Sequence, residues 1–213
     1  MNNFLNSIQL FDIIEFIGTF AFAISGIRLA SAKKFDLFGA FTVGFITAIG
    51  GGTLRDLFIN ETPFWMQNSF YLWTTLLALL FVIIFHNELV HLNNTIFVFD
   101  SIGLALFVVV GVEKTLNLGF APWVAITMGM ITGSVGGVLR DVFINEIPLI
   151  FRRDIYALAC IFGGIVFTAL NTWGVHIIVT ELTTAGIVIL IRVLAVKYHW
   201  HLPVLSGEKE QKK

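Results

Sequence analysis

The sequence predicts an all-α integral membrane protein of seven transmembrane helices, built as two inverted three-helix repeats followed by a C-terminal seventh helix. Three observations lead there. Of 213 residues, 57% are hydrophobic and 13% charged, with a mean hydropathy of +0.88, far from the averages of soluble domains. Uncharged runs occupy 37–54, 62–87, 115–139 and 155–180, and about 20 apolar residues suffice to cross the hydrocarbon core as a helix. The chain also matches itself at an offset of 85 residues.

The first span, 9–31, is an apolar segment punctuated by Glu15 near its start. The second, 36–57, runs into GGGTLRDLFINETP at 50–63. The third, 69–86, closes the first repeat (9–86). The second repeat (95–173) holds spans at 95–114, 120–142 and 154–173, with Asp100 opposite Glu15 and VGGVLRDVFINEIP at 135–148 opposite the first motif. The two motifs agree at 10 of 14 positions. Gly18 meets Gly103, Phe22 meets Phe107, Gly26 meets Gly111, Gly44 meets Gly129, Thr47 meets Thr132 and Tyr71 meets Tyr156. A seventh span, 177–197, carries Glu181 and Arg192 and has no repeat partner; a tail, 203–213, ends the single membrane domain.

Three spans per repeat is an odd number, so the second repeat enters the bilayer from the opposite side. Cytoplasmic loops collect Lys and Arg. Arg28, Lys33 and Lys34, then Arg152 and Arg153, then Lys197, Lys209, Lys212 and Lys213 all fall on one side, whereas Lys114 and Arg55 fall on the other. The reading is a multi-pass inner-membrane protein with its N-terminus outside and its C-terminus cytoplasmic. The N-terminus lacks a basic region of the signal-peptide kind, so the first span is expected to remain in the mature chain.

Glycine is a poor helix former, and consecutive glycines at membrane depth read in two ways. They unwind the helix and free carbonyl oxygens for an alkali cation, or they let two helices pack closely. The candidate path residues are Thr47, Gly50, Gly51, Gly52, Thr132, Ser134, Gly136 and Gly137. Ionisable residues within spans face the bundle interior or water. Glu15, Arg55 and Asp56 form a candidate cluster at the outer end, and Asp100, Arg140 and Asp141 one at the inner end. Each cluster reads either as a structural brace or as a channel mouth. Arg192 reads as an anchor that snorkels to the interface, and Tyr71, Trp73, Trp123, Tyr156, Trp173, Tyr198 and Trp200 as an interfacial aromatic belt. Asn60-Glu61 and Asn145-Glu146 before proline read as helix ends.

Other classes receive no support. The net charge of −1 offers nothing to a nucleic acid, and no soluble partner is implied. The lone Cys160 reads as core filler. The five histidines show no metal-ligand spacing, and the glycines do not match a phosphate loop or dinucleotide fingerprint. No nucleophile comes with a base, so an enzyme and a resident cofactor are not expected.

With duplicated three-helix units, a seventh helix and the motifs GGGTLRD and GSVGGVLRD, residues 8–200 resemble the bacterial branch of the trimeric intracellular cation channel family, TRIC. The resemblance implies a homotrimer in the bilayer with a pore inside each protomer. It also implies kinks at the glycines of spans two and five, and conduction of monovalent cations, chiefly K+ with Na+ as a further candidate. Val135 departs from the triple glycine at the position of Gly50. Related bacterial sequences also carry the label of glycine transporters, so a secondary carrier of a small solute such as glycine is the alternative.

Overall fold

A computed structural model describes residues 2–91, 95–152 and 155–203. Arg153 and the tail lysines Lys209, Lys212 and Lys213 lie outside them. All regular structure among the described residues is helical: α1 (Asn2–Ala32), α2 (Leu37–Phe58), α3 (Phe64–Gln67), α4 (Phe70–Ile84), α5 (His86–His91), α6 (Thr95–Asn117), α7 (Pro122–Phe143), a 3₁₀ turn (Leu149–Phe151), α8 (Ala157–Thr172) and α9 (Ile177–Lys197). Five of these, α1, α2, α6, α7 and α9, are long and apolar enough to cross a membrane. The other two long helices, α4 and α8, have 15 and 16 residues, or about 22 and 24 Å at 1.5 Å per residue.

Hydropathy runs and helices do not coincide. The run 62–87 is divided among α3, α4 and α5, and the run 155–180 between α8 and α9 at Gly174. By contrast, the segments whose apolar runs are interrupted by acids became the long helices α1, α6 and α9, whose best windows reach mean hydropathies of 1.8, 2.3 and 2.1. In α6 and α9 the acids Asp100 and Glu181 turn inward and are at most 1% exposed, whereas Asp12 of α1 is exposed.

Local signals set the ends. Asp36 caps α2 by accepting the Gly39 N–H at 2.7 Å, and Pro122 opens α7 where no helix donor is lost. Both α2 and α7 end in a Schellman turn. Glu61 N–H donates to the Asp56 carbonyl and Glu146 N–H to that of Asp141, each at 2.8 Å. The residue that turns left-handed is Asn60 in one and Asn145 in the other, each at φ 58°. Asparagine tolerates that conformation, which accounts for the repeated Asn-Glu as helix terminators.

Helices α1, α2, α6 and α7 form the centre, with α4 against α1 and α2, and α8 against α6 and α7. Helix α9 packs on α8 and α6. Ala23, Ile24, Leu104, Val108 and Val109 are fully buried between these helices, and Cys160 fills core space with no disulfide partner. Leu72, Trp73, Leu80, Trp123 and Trp173 face outward, as lipid-facing side chains do. Tyr71 and Tyr156 do not join them. At 6% and 1% exposure they are interior residues, which corrects the aromatic-belt reading for these two.

The glycine motifs require a larger correction. Helices α2 and α7 run unbroken through Gly50–Gly52 and Gly136–Gly137, and no glycine there has a left-handed φ. The expected unwinding is absent. Tertiary packing holds these glycines helical, because the space a side chain would occupy is already filled by the neighbouring helix.

Candidate functional site

At the centre, α2 crosses α7. A Cβ added to Gly51 would collide with the carbonyl oxygen of Thr132, and one added to Gly136 with the carbonyl oxygen of Thr47. Gly51 thus lies on Thr132 while Thr47 lies on Gly136, so the two helices are antiparallel and the contact is reciprocal. Both obstacles are backbone and cannot rotate away. A Cβ on Gly50 would collide only with the tip of the Leu139 side chain, at 2.5 Å. Gly52 faces the Phe64 ring, and Gly137 the Tyr156 hydroxyl. Around the crossing, Thr47, Thr132 and Ser134 are at most 1% exposed. Each donates its hydroxyl to the carbonyl four residues earlier, at 2.6, 2.6 and 2.7 Å, leaving lone pairs free to accept.

Two charge clusters flank the crossing. In the first, Arg55 Nε donates to Asp56 Oδ1 at 2.8 Å, Lys114 Nζ donates to the same oxygen at 2.9 Å, and Asp56 Oδ2 accepts the Phe64 N–H at 2.9 Å. Glu15 accepts the Tyr71 hydroxyl at 2.5 Å. The expected trio is therefore a wider group in which Glu15 is bonded to Tyr71. In the second, Arg140 bonds Asp100 at 2.5 Å, Asp141 at 2.9 Å and the Ser25 hydroxyl at 2.6 Å. Asp141 Oδ2 accepts the Leu149 N–H at 3.0 Å, and Tyr156 donates to Asp100 at 3.5 Å. Tyr71 and Tyr156, and Phe64 and Leu149, are repeat equivalents, so the same wiring occurs twice.

Lys114, placed by the sequence on the same side as Arg55 but not in its cluster, completes that cluster. Arg192 corrects the anchor reading. It is 3% exposed, lies 3.6 Å from Asp100 Oδ2, donates to the Ile155 carbonyl at 3.2 Å and stacks over the Tyr156 ring at 4.8 Å. Each cluster thus sets two acids beside two bases. Breaking a buried pair of this kind by removing one partner is expensive because the other charge is stranded.

Outside the helices, Lys33 bonds Glu146 at 2.5 Å across an exposed surface, and Arg152 approaches the other Glu146 oxygen at 3.5 Å. The Lys33 hydrogen bond and charge hold the Glu146 carboxyl below its ordinary 4.5. With the folded value depressed, the pair's contribution is full above pH 4.5 and is lost as pH falls through the folded value. A carboxyl-carbon titration of Glu146 should show the depressed midpoint, and Lys33→Met should return it toward 4.5; an unmoved midpoint would assign the shift elsewhere.

Comparison with known proteins adds four findings. The family model described as "Glycine transporter" matches residues 12–87 and 97–172, and each bound of the second segment lies 85 residues beyond that of the first. An inner membrane protein of Escherichia coli strain K12, named UPF0126 inner membrane protein YadS, is 39% identical over 196 residues, covering 91% of this chain and 95% of that one. A solved structure described as the structural basis for conductance through TRIC cation channels superposes with a TM-score of 0.83 at 33% identity, covering 93% of this chain and 98% of the other. The TRIC orthologue from Rhodobacter sphaeroides gives the same TM-score at 32% identity, covering 89% and 98%.

Proposed function

This chain belongs to the TRIC family, and from that premise we propose that it is a monovalent cation channel, permeable to K+, with a pore inside each protomer of a homotrimer. The observation that carries the reading is the superposition on solved TRIC cation channels over nearly the whole chain. The antiparallel, reciprocal contact of α2 with α7 supports an inverted pair of repeats, and the one-sided placing of Lys and Arg supports an outer N-terminus and a cytoplasmic C-terminus after seven crossings. The first cluster then lies toward the outer face and the second toward the cytoplasm.

The path runs through the α2–α7 crossing. Every helix carbonyl keeps a second lone pair after its intrahelical bond. When the crossing parts, the Thr47 and Thr132 carbonyls, with the hydroxyls of Thr47, Thr132 and Ser134, offer the neutral oxygens that substitute for an alkali ion's water. Carbonyl ligation therefore requires separation of two intact helices rather than a break in either. The acid-base clusters at the two ends bound the path and, being balanced in charge, place no net positive barrier at either mouth.

Purified protein in a planar bilayer is expected to give unitary current steps, and a K+/Na+ bi-ionic gradient to give a reversal potential favouring K+. The family model's description keeps a carrier in view. Saturable glycine uptake driven by an ion gradient, with no unitary currents, would overturn the channel reading in its favour.

A further inference from the structure

One group of buried polar atoms takes no part in the crossing or in either charge cluster. Glu113 near the end of α6 and Glu181 in the second turn of α9 bring their carboxyls within hydrogen-bonding reach of one another. Glu181 is fully buried, and neither of its oxygens has a hydrogen-bond partner among the described residues; Glu113 Oε2 is likewise buried and without a partner. The other acids described within the helix bundle have one. Asp56 has Arg55 and Lys114, Asp100 has Arg140 and Arg192, Asp141 has Arg140, and Glu15 has Tyr71. Lys114, next to Glu113 in sequence, is engaged by Asp56.

Two hydroxyls add a second, independent observation. Thr180 and Thr184 lie one turn apart on the buried stripe of α9 that includes Glu181, and both are fully buried. Thr47, Thr75, Thr115 and Thr132, also buried, donate to the carbonyl four residues back, whereas Thr19 on α1 has no hydrogen-bond partner among the described residues and no carboxylate pair beside it in the chain. Thr180 and Thr184 do not donate in this way, and their hydroxyl oxygens have no hydrogen-bond partner among the described residues. The duplication supplies no equivalent group. The repeat position of Glu113 is Arg28, whose guanidinium donates to the Leu89 carbonyl, and α9 has no repeat partner.

We propose that Glu113, Glu181, Thr180 and Thr184 form a binding site for a hard, oxygen-seeking metal cation between α6 and the seventh helix. Two adjacent carboxylates and two hydroxyls in a dry setting are acceptors in excess of donors. A single shared proton makes one hydrogen bond and leaves the remaining oxygens without partners. A metal cation accepts several oxygen ligands at once and cancels the charge. Because α9 packs on α6 and α8, the ion ties the seventh helix to the bundle. His176, at the start of α9, is the basic group within electrostatic reach of Glu181, and it is exposed to solvent. The site is independent of the channel reading, because it concerns helix attachment and can be assayed without flux.

The test is thermal unfolding of the detergent-purified full chain at pH 7.5 and constant ionic strength, with choline replaced stepwise by Na+, K+ or Ca2+. The wild-type midpoint is expected to rise saturably with at least one metal cation, and the three arms identify which class binds. Glu181→Gln and Glu113→Gln should lose the response while unfolding in choline no earlier than wild type, and Thr184→Val should shift it to higher concentration. A wild-type midpoint indifferent to cation identity, moving with pH alone, would assign the pair to a proton and overturn the proposal, as would a full response in Glu181→Gln. If the glutamine variants do not fold, Thr184→Val decides the matter, because a wild-type response left unshifted in that variant would place the ion elsewhere and overturn the proposal.

Discussion

Asp100→Ala is expected to destabilise the folded chain by about 3–5 kcal/mol, more than the same change at Asp56. Asp100 is 1% exposed and holds two guanidiniums, Arg140 at 2.5 Å and Arg192 at 3.6 Å. Alanine leaves both in a low-dielectric interior with less compensating charge. Arg140 keeps Asp141 and the Ser25 hydroxyl, whereas among the described residues Arg192 keeps only the Ile155 carbonyl and the faces of the Tyr156 and Phe97 rings. Asp56→Ala strands Arg55 in the same way. Its other partner, Lys114, has a side chain 26% exposed, and a flexible ammonium can move that charge to water. Thermal midpoints of the two variants in detergent check the ordering. Adding Arg192→Met to Asp100→Ala should recover part of the loss by removing a stranded charge. Equal midpoints for Asp100→Ala and Asp56→Ala, or no recovery in the double variant, would show that these clusters are not held by charge pairing.

The same two clusters show what the sequence made legible. The offset of 85 identifies a residue only where both repeats keep it. Glu15 with Asp100, Arg55 with Arg140 and Asp56 with Asp141 were therefore visible as candidates, and the structure gathers them at opposite sides of the crossing. The second base of each cluster was hidden. Lys114 stands opposite Leu29 and Arg192 belongs to the unrepeated seventh helix, so neither has the internal partner that marks a repeated function. Ser25 stands opposite Val110 and was missed for the same reason, as were Glu113 and Glu181. Tyr71 and Tyr156 do form a repeat pair, but a tyrosine near a span end has the same composition whether it faces lipid or a buried carboxylate. Uncharged runs were the poorer guide, because an acid ends a run whether it faces lipid or protein; the helices that carry Asp100 and Glu181 still reach mean hydropathies of 2.3 and 2.1.

Gly51→Ala and Gly136→Ala are expected to combine two losses, about 1–3 kcal/mol of stability from overpacking and a change in any current the protein carries. Composition alone predicts the opposite sign, since alanine is the better helix former by about 1 kcal/mol. The contact geometry reverses it. In both variants the new methyl meets a backbone carbonyl, Thr132 for Gly51 and Thr47 for Gly136, and an obstacle made of backbone yields only when a whole helix moves. Two internal controls separate this effect from the chemistry of the substitution. Gly50→Ala meets a rotatable Leu139 tip at 2.5 Å, and Gly186→Ala on the exposed side of α9 meets nothing within 4 Å, so the first should cost little and the second should be neutral or stabilising. Because the two central glycines sit at one reciprocal crossing, the double variant should depart from the sum of the singles, as contacting positions do. Bilayer recordings of the folded variants then decide whether this crossing is also the path. Altered unitary conductance in Gly51→Ala and Gly136→Ala, with Gly50→Ala and Gly186→Ala unchanged, places the ion between α2 and α7. Unaltered conductance in protein of lowered stability would leave these glycines a packing role alone and move the path elsewhere in the protomer.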